Sequence, residues 1–223
     1  MSYAFYAPGR LLFYCLQPAP VGGENLVADM DKVATHLRPA FLAKLYNEPI
    51  ILPRIYLNGA DIKTNHYPPM STWQQAFDTK NKQTAEQQAL QGGYCVNWLP
   101  DDLMQTSITL FQTIEHQGQQ KLFTSLCENI DVKNINYSLA EGELKTHLEK
   151  LQFCWADHTP FLAEDVAIFN QAYENEELKI PLQAGEILLI NNLACAHGRE
   201  AYQGKREIYV SMGDPVERSR VIA

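Results

Sequence analysis

The chain has 223 residues, 46% of them hydrophobic and 20% charged, with a formal net charge of −8. A chain of that size buries a core without a disulfide or metal staple, and its composition is that of a folded globular protein rather than a disordered one. Eighteen Lys and Arg against twenty-six Asp and Glu argue against a general nucleic-acid binder.

Nothing in the sequence approaches the roughly 18 uninterrupted apolar residues of a membrane helix, and the start MSYAFYAPGR does not read as a signal peptide. Residues 128–177 hold eleven acids and three bases, and the rest of the chain is balanced at fifteen of each. Such a run reads as a solvated face. Five cysteines (15, 95, 127, 154, 195) form no C-x-x-C pair and lie among apolar neighbours, which fits reduced, mostly buried thiols in a cytoplasmic protein.

In chain order, 11–16 (LLFYCL) reads as a buried strand ended by the turn PAPVGG. Residues 29–46 carry Val33, Leu37, Phe41 and Leu45 at helical spacing; Asp29 or Asp31 caps the start, and Pro39 divides the stretch into two short helices. TWQQAFD (72–78) reads as a short helix, and the Gln-rich 79–93 as partly helical. Residues 94–99 and 121–126 read as strands. Residues 140–152 read as a helix with Leu144, Leu148 and Leu151 on one face. Strands follow at 186–190, 193–196 and 207–212, separated by Asn and Gly. The expected class is mainly β with flanking helices (α+β), a jelly roll formed by a single domain over 1–223.

His147-Leu148-Glu149 is the one H-x-E triplet. Two residues apart on a helix, side chains diverge by about 200°, so a helical 140–152 excludes this pair as joint metal ligands. The C-terminal segment GEILLINNLACAHGREAYQGKREIYVSMGDP carries the stronger chemistry. His197 follows an apolar strand and Arg206 stands at the mouth of the next. An imidazole suits a divalent metal and a planar guanidinium clasps a carboxylate. Arg199 suits an acidic ligand or a pairing with Glu200 or Glu207.

This segment resembles the C-terminal strand pair of the taurine dioxygenase (TauD/TfdA-like) family of Fe(II)- and 2-oxoglutarate-dependent oxygenases. It is closest to the syringomycin-biosynthesis regulator-like branch, with the pattern "GD-apolar-DN…AHGR…F-x-G-x-R". The matching residues are Gly185-Glu186, Asn191-Asn192, Ala196-His197-Gly198-Arg199, Tyr202, Gly204 and Arg206. Residues 11–33 are similar to the family's "FYC…P…GGET…D…V", 71–79 to "SWQE-F-T" and 98–103 to "W…DGL". The resemblance implies a double-stranded β-helix. It makes His197 the distal iron ligand and Arg206 the residue holding the C5 carboxylate of 2-oxoglutarate. Asn25 stands where the motif GG-[DE]-T has a cosubstrate-binding threonine, and its amide can still hydrogen-bond a carboxylate.

In that family the H-x-[DE] ligand pair lies about twenty-five residues ahead of the GG-[DE]-T threonine. Counted back from Asn25, this falls before Met1. The expectation is a domain N-terminally truncated relative to the family, metal-poor and catalytically silent as written, with apolar sheet surface left exposed. The implied activity is oxygenation (hydroxylase type) of a small molecule such as an amino acid or carrier-bound metabolite, with Fe(II) and 2-oxoglutarate. The alternatives are a non-catalytic pseudoenzyme or accessory protein on the same fold, and a cupin-like metabolite binder. The expected partner is a small molecule, not nucleic acid or membrane, and self-association as a homo-oligomer stays open.

Overall fold

Tyr6–Gln17 form a strand, β1, whose odd positions Leu11 and Cys15 are buried while Phe13 is half-buried. The computed structural model describes residues 6–59, 72–124, 126 and 153–218. Their contacts divide into two units, one within Met1–Glu48, Phe111–Cys127 and Leu162–Ser219, the other within Pro49–Leu110, Glu128–Phe161 and Arg220–Ala223.

In the first unit the strands after β1 are β2 (Val21–Gly22) and β3 (Asn25–Asp29). Helices α1 (Met30–Thr35) and α2 (Pro39–Asn47) follow. Asp29 caps α1 by accepting from the amides of Asp31 and Lys32, and Pro39 opens α2, as the sequence leads one to expect.

The second unit carries β4 (Ile50–Tyr56), α3 (Trp73–Ala76), α4 (Lys82–Gln91), β5 (Cys95–Leu99), β6 (Leu103–Leu110) and β9 (Cys154–Trp155). Its antiparallel sheet runs β5-β6-β4-β9, and its core gathers Tyr56, Trp73, Ala85, Ala89 and Met104. Thr72 closes a capping box with Gln75 at the start of α3.

The first unit resumes with the hairpin β7 (Thr113–His116) and β8 (Gln119–Leu122), then α5 (Ala163–Glu176). The final strands are β10 (Glu177–Ile180), β11 (Ile187–Asn191), β12 (Cys195–Arg199), β13 (Tyr202–Gln203) and β14 (Glu207–Glu217). Two three-stranded antiparallel sheets result, in the orders β11-β1-β14 and β10-β3-β12. From β10 to β11, β12 and β14 the chain changes sheet at every link. That alternation is the jelly-roll winding, and the fold is the expected one. Helices α1 and α5 pack on the β3 sheet, with Val33, Phe41, Leu45 and Phe169 buried among them.

Several expectations are corrected in detail. The strand expected at 121–126 is Gln119–Leu122, because Phe123 leaves the hairpin to donate its amide to the Gln112 carbonyl. The strand expected at 193–196 is Cys195–Arg199; the Asn191 side chain accepts from the Leu193 amide and holds a turn there instead. Cys15 is buried, but Cys95 is exposed and Cys154 and Cys195 are half-buried, all four as free thiols. The expected helix at 140–152, with His147 and Glu149, lies outside the described residues.

The outer face of the β1 sheet leaves Leu16, Ile187, Leu189 and Tyr209 exposed, so apolar sheet surface is open to solvent. No described helix is long and apolar enough to cross a membrane.

Glu177, at the junction of α5 and β10, is held above the usual carboxylate range by burial, with Glu200 and Glu174 adding to the shift and Lys179 opposing it. An acid whose pKa is raised by folding destabilises the native state once pH exceeds its titration. Glu177→Gln is therefore expected to raise the melting temperature at pH 7. Melts across a pH series check this, since the gain must shrink as pH falls through the Glu177 titration.

Candidate functional site

The link from β1 to β3 and the link from β12 to β14 run side by side, joined by the pairing of β2 with β13, Gly22 opposite Tyr202. That approach is possible because Gly22 and Gly23 both have positive φ, 67° and 80°. A Cβ on Gly22 would lie 2.2 Å from the Ala201 carbonyl oxygen; one on Gly23 would lie 3.1 Å from both Arg206 Cδ and Tyr202 Cβ. Two segments some 180 residues apart are thereby pressed together at one end of the sandwich.

Arg206 is held in this junction. Its Nε donates to the Gly23 carbonyl at 3.1 Å and its Nη2 to Asn25 Oδ1 at 3.3 Å. Among the described residues no carboxylate forms an ion pair with it. Its pKa is depressed by burial and by the nearby charge of Arg199. Asn25, 4% exposed, spends its oxygen on Arg206, and its Nδ2 has no hydrogen-bond partner. Such an orphaned donor is costly unless something accepts from it.

Both groups line a cavity of about 190 Å³, together with Cys15, Gly23, Glu24, Pro181, Leu182 and Ile208. Burial pushes the Cys15 thiol up, against the opposing pull of Arg206. A partly desolvated guanidinium with no counter-ion among the described residues, next to an unsatisfied amide N–H, is an arrangement that clasps a carboxylate.

His197 is half-buried on β12, opposite Val27, and its ring centroid lies 5.7 Å from that of Phe13 on the other sheet. The imidazole thus projects between the sheets. Asn25 pairs with Arg199 two residues along the same strands, so Asn25, His197 and Arg199 share one face, with the His197 and Asn25 positions about 7 Å apart along the strand. His197 does not line the cavity that holds Arg206. Glu200 pairs with Lys179, and Glu207 with Lys205.

Among the described residues no group of three or more His, Cys, Asp or Glu is arranged to hold a metal, and His197 brings one imidazole of the kind that ligates a divalent ion. Arg206 and Asn25 have the chemistry to hold a carboxylate. The sequence reading reached Arg206, Asn25 and His197; it did not reach Gly23, Cys15 or Leu182 as lining residues. The double glycine was the available signal for Gly23, while the other two carry none.

Gly23→Ala is expected to displace the Arg206 side chain, because the added methyl meets Arg206 Cδ in a left-handed backbone conformation. Loss of dicarboxylate affinity with far-ultraviolet circular dichroism unchanged is the expected result. Unaltered affinity would show that Arg206 is not held through this contact.

A model of the taurine catabolism dioxygenase TauD, TfdA family matches residues 1–212. The chain belongs to that family. It is 25% identical over 213 residues to the dapdiamide synthesis protein DdaC of Enterobacter agglomerans, covering 94% of this chain and 62% of the relative. It is 23% identical over 208 residues to a clavaminate synthase-like protein of Arabidopsis thaliana, covering 92% of this chain and 60% of that one. The chain therefore spans about six-tenths of the length of the curated relatives it matches. Among solved structures it is similar in fold to AAD-2, crystallised with Mn(II) and N-oxalylglycine, at a TM-score of 0.52 and 11% identity, over 97% of this chain and 67% of that one.

Proposed function

We propose that this TauD-family chain binds 2-oxoglutarate through Arg206 and Asn25, as part of an Fe(II)- and 2-oxoglutarate-dependent oxygenase acting on a small molecule. The observation that carries the reading is the Arg206 cradle: a guanidinium fixed by neutral oxygens, unpaired with any described carboxylate, beside the orphaned Asn25 amide. One end of a dicarboxylate accepts from Arg206 and from Asn25 Nδ2, satisfying both. Relatives support the choice of ligand, since AAD-2 was crystallised with N-oxalylglycine, a dicarboxylate.

In this reading 2-oxoglutarate would supply the two electrons for oxygenation, and His197, on the same sheet face as Asn25, would offer its imidazole as one metal ligand. Arg206 anchors the far carboxylate. Ile208 and Leu182 contribute apolar lining to the cavity, and Phe13 packs against the His197 ring.

The alternative reading is a dicarboxylate-binding accessory protein on the same fold, because the Arg206 and Asn25 cradle needs no metal to hold a carboxylate. Titration with 2-oxoglutarate, followed by assay for succinate with Fe(II) added, separates them. Binding with succinate released in step with oxygenated product supports the oxygenase. Binding without succinate supports the accessory protein, and no binding sinks both.

A further inference from the structure

An arginine that recognises a ligand carboxylate faces a conflict. A protein carboxylate would orient it firmly but would also neutralise the charge the ligand needs. Arg206 is oriented by neutral groups alone among the described residues: the Gly23 carbonyl, Asn25 Oδ1 and an aromatic ring. That ring is Tyr202, whose centroid lies 5.9 Å from Arg206 Cζ. The same ring lies 4.6 Å from Arg199 Cζ. Burial first, and the charge of Arg199 second, lower the pKa of Arg206, so the two guanidiniums are near neighbours at this ring.

We infer that Tyr202 is a positioning residue for Arg206: its ring face steers the guanidinium without consuming its charge. This rests on the dicarboxylate reading and deepens it. A π face attracts a cation through its quadrupole, which orients the guanidinium and leaves its net charge intact for an anion. Tyr202 itself is fixed by the β2–β13 pairing opposite Gly22, and its Cβ sits where a side chain on Gly23 would clash. The ring is therefore tied to the strand link that also supplies the Gly23 carbonyl.

The test uses the full chain. Affinity for 2-oxoglutarate is measured by chemical-shift titration for the wild type, Tyr202→Phe, Tyr202→Leu, Arg206→Ala and the Arg206→Ala/Tyr202→Leu double variant. The Arg206 side-chain Nε–H resonance is followed alongside. Tyr202→Phe keeps the ring and is expected to bind within about twofold of wild type, whereas Tyr202→Leu is expected to lose about tenfold, roughly the value of one cation–π contact. In Tyr202→Leu the Arg206 Nε–H signal broadens while the melting temperature holds; the leucine adds nothing once Arg206 is alanine.

Equal loss in the phenylalanine and leucine variants, or a further loss in the double variant, overturns the role of the ring acting through Arg206. Wild-type affinity in Tyr202→Leu overturns it as well. If Arg206→Ala also binds like wild type, the dicarboxylate reading itself is wrong.

Discussion

Arg206→Ala is expected to weaken 2-oxoglutarate binding by about a hundredfold, the equivalent of about 3 kcal/mol for a charge-assisted pair lost from a desolvated site. The loss is large because the guanidinium is the cation in the cavity, and the Asn25 amide beside it carries no charge to replace it. The substitution also strips the Gly23 carbonyl and Asn25 Oδ1 of their donor, so a modest fall in melting temperature accompanies it. Arg206→Lys separates charge from shape. Lysine keeps the positive charge but lacks the planar fork, and it is expected to recover only part of the affinity. Isothermal titration of the three proteins checks the order wild type, lysine, alanine. A lysine variant as tight as wild type would show that the fork is not used.

Phe169→Ala carries the largest expected effect on stability. Phe169 is 1% exposed on α5, with ring centroids of Phe41 on α2 at 6.3 Å and Tyr173 at 5.2 Å, both edge-on. Removing the ring deletes its apolar burial and leaves a void that two neighbouring helices cannot fill without shifting, at a cost of about 3–5 kcal/mol. Against the roughly 5–15 kcal/mol that holds a typical domain folded, that is a large share. Urea denaturation should show a lower midpoint at an unchanged slope, with Phe169→Leu losing less. Because α5 backs the β3 sheet from outside the cavity, ligand affinity of the molecules that remain folded should be nearly unchanged. A midpoint within error of wild type would mean the helical layer contributes little to the unit.

Local signals were read correctly where the deciding physics is local. Asp29 and Pro39 mark the starts of α1 and α2 because capping and the fixed proline φ act within a few residues. The apolar run at 11–16 is a strand because its neighbours on both sides demand burial of alternate residues. The helix α5 was missed: four acids dilute its apolar period, and no side chain caps its start, so its stability comes from Phe169 and Ala172 packing rather than from local preference. The strands β4 and β6 were missed for a related reason, since they exist through pairing with each other across some fifty residues.

The candidate site divides in the same way. His197 and Arg206 were legible because their residue types and spacing match a family pattern, Asn25 because it takes the place of that pattern's threonine, and the strand spacing pointed to the jelly roll. What the sequence could not decide is which of them meet. The pairing of Gly22 with Tyr202 brings residues 22–25 against 202–206, and only the completed sandwich creates that contact. Strand periodicity then puts Asn25, His197 and Arg199 on one face, while the cavity closes around Arg206 and Asn25 and leaves His197 outside its lining. Side-chain chemistry is written residue by residue; the neutral partners of Arg206 and the orphaned donor at Asn25 among the described residues are properties of the packed interior, because they depend on what long-range hydrogen bonding brings near and what it keeps away.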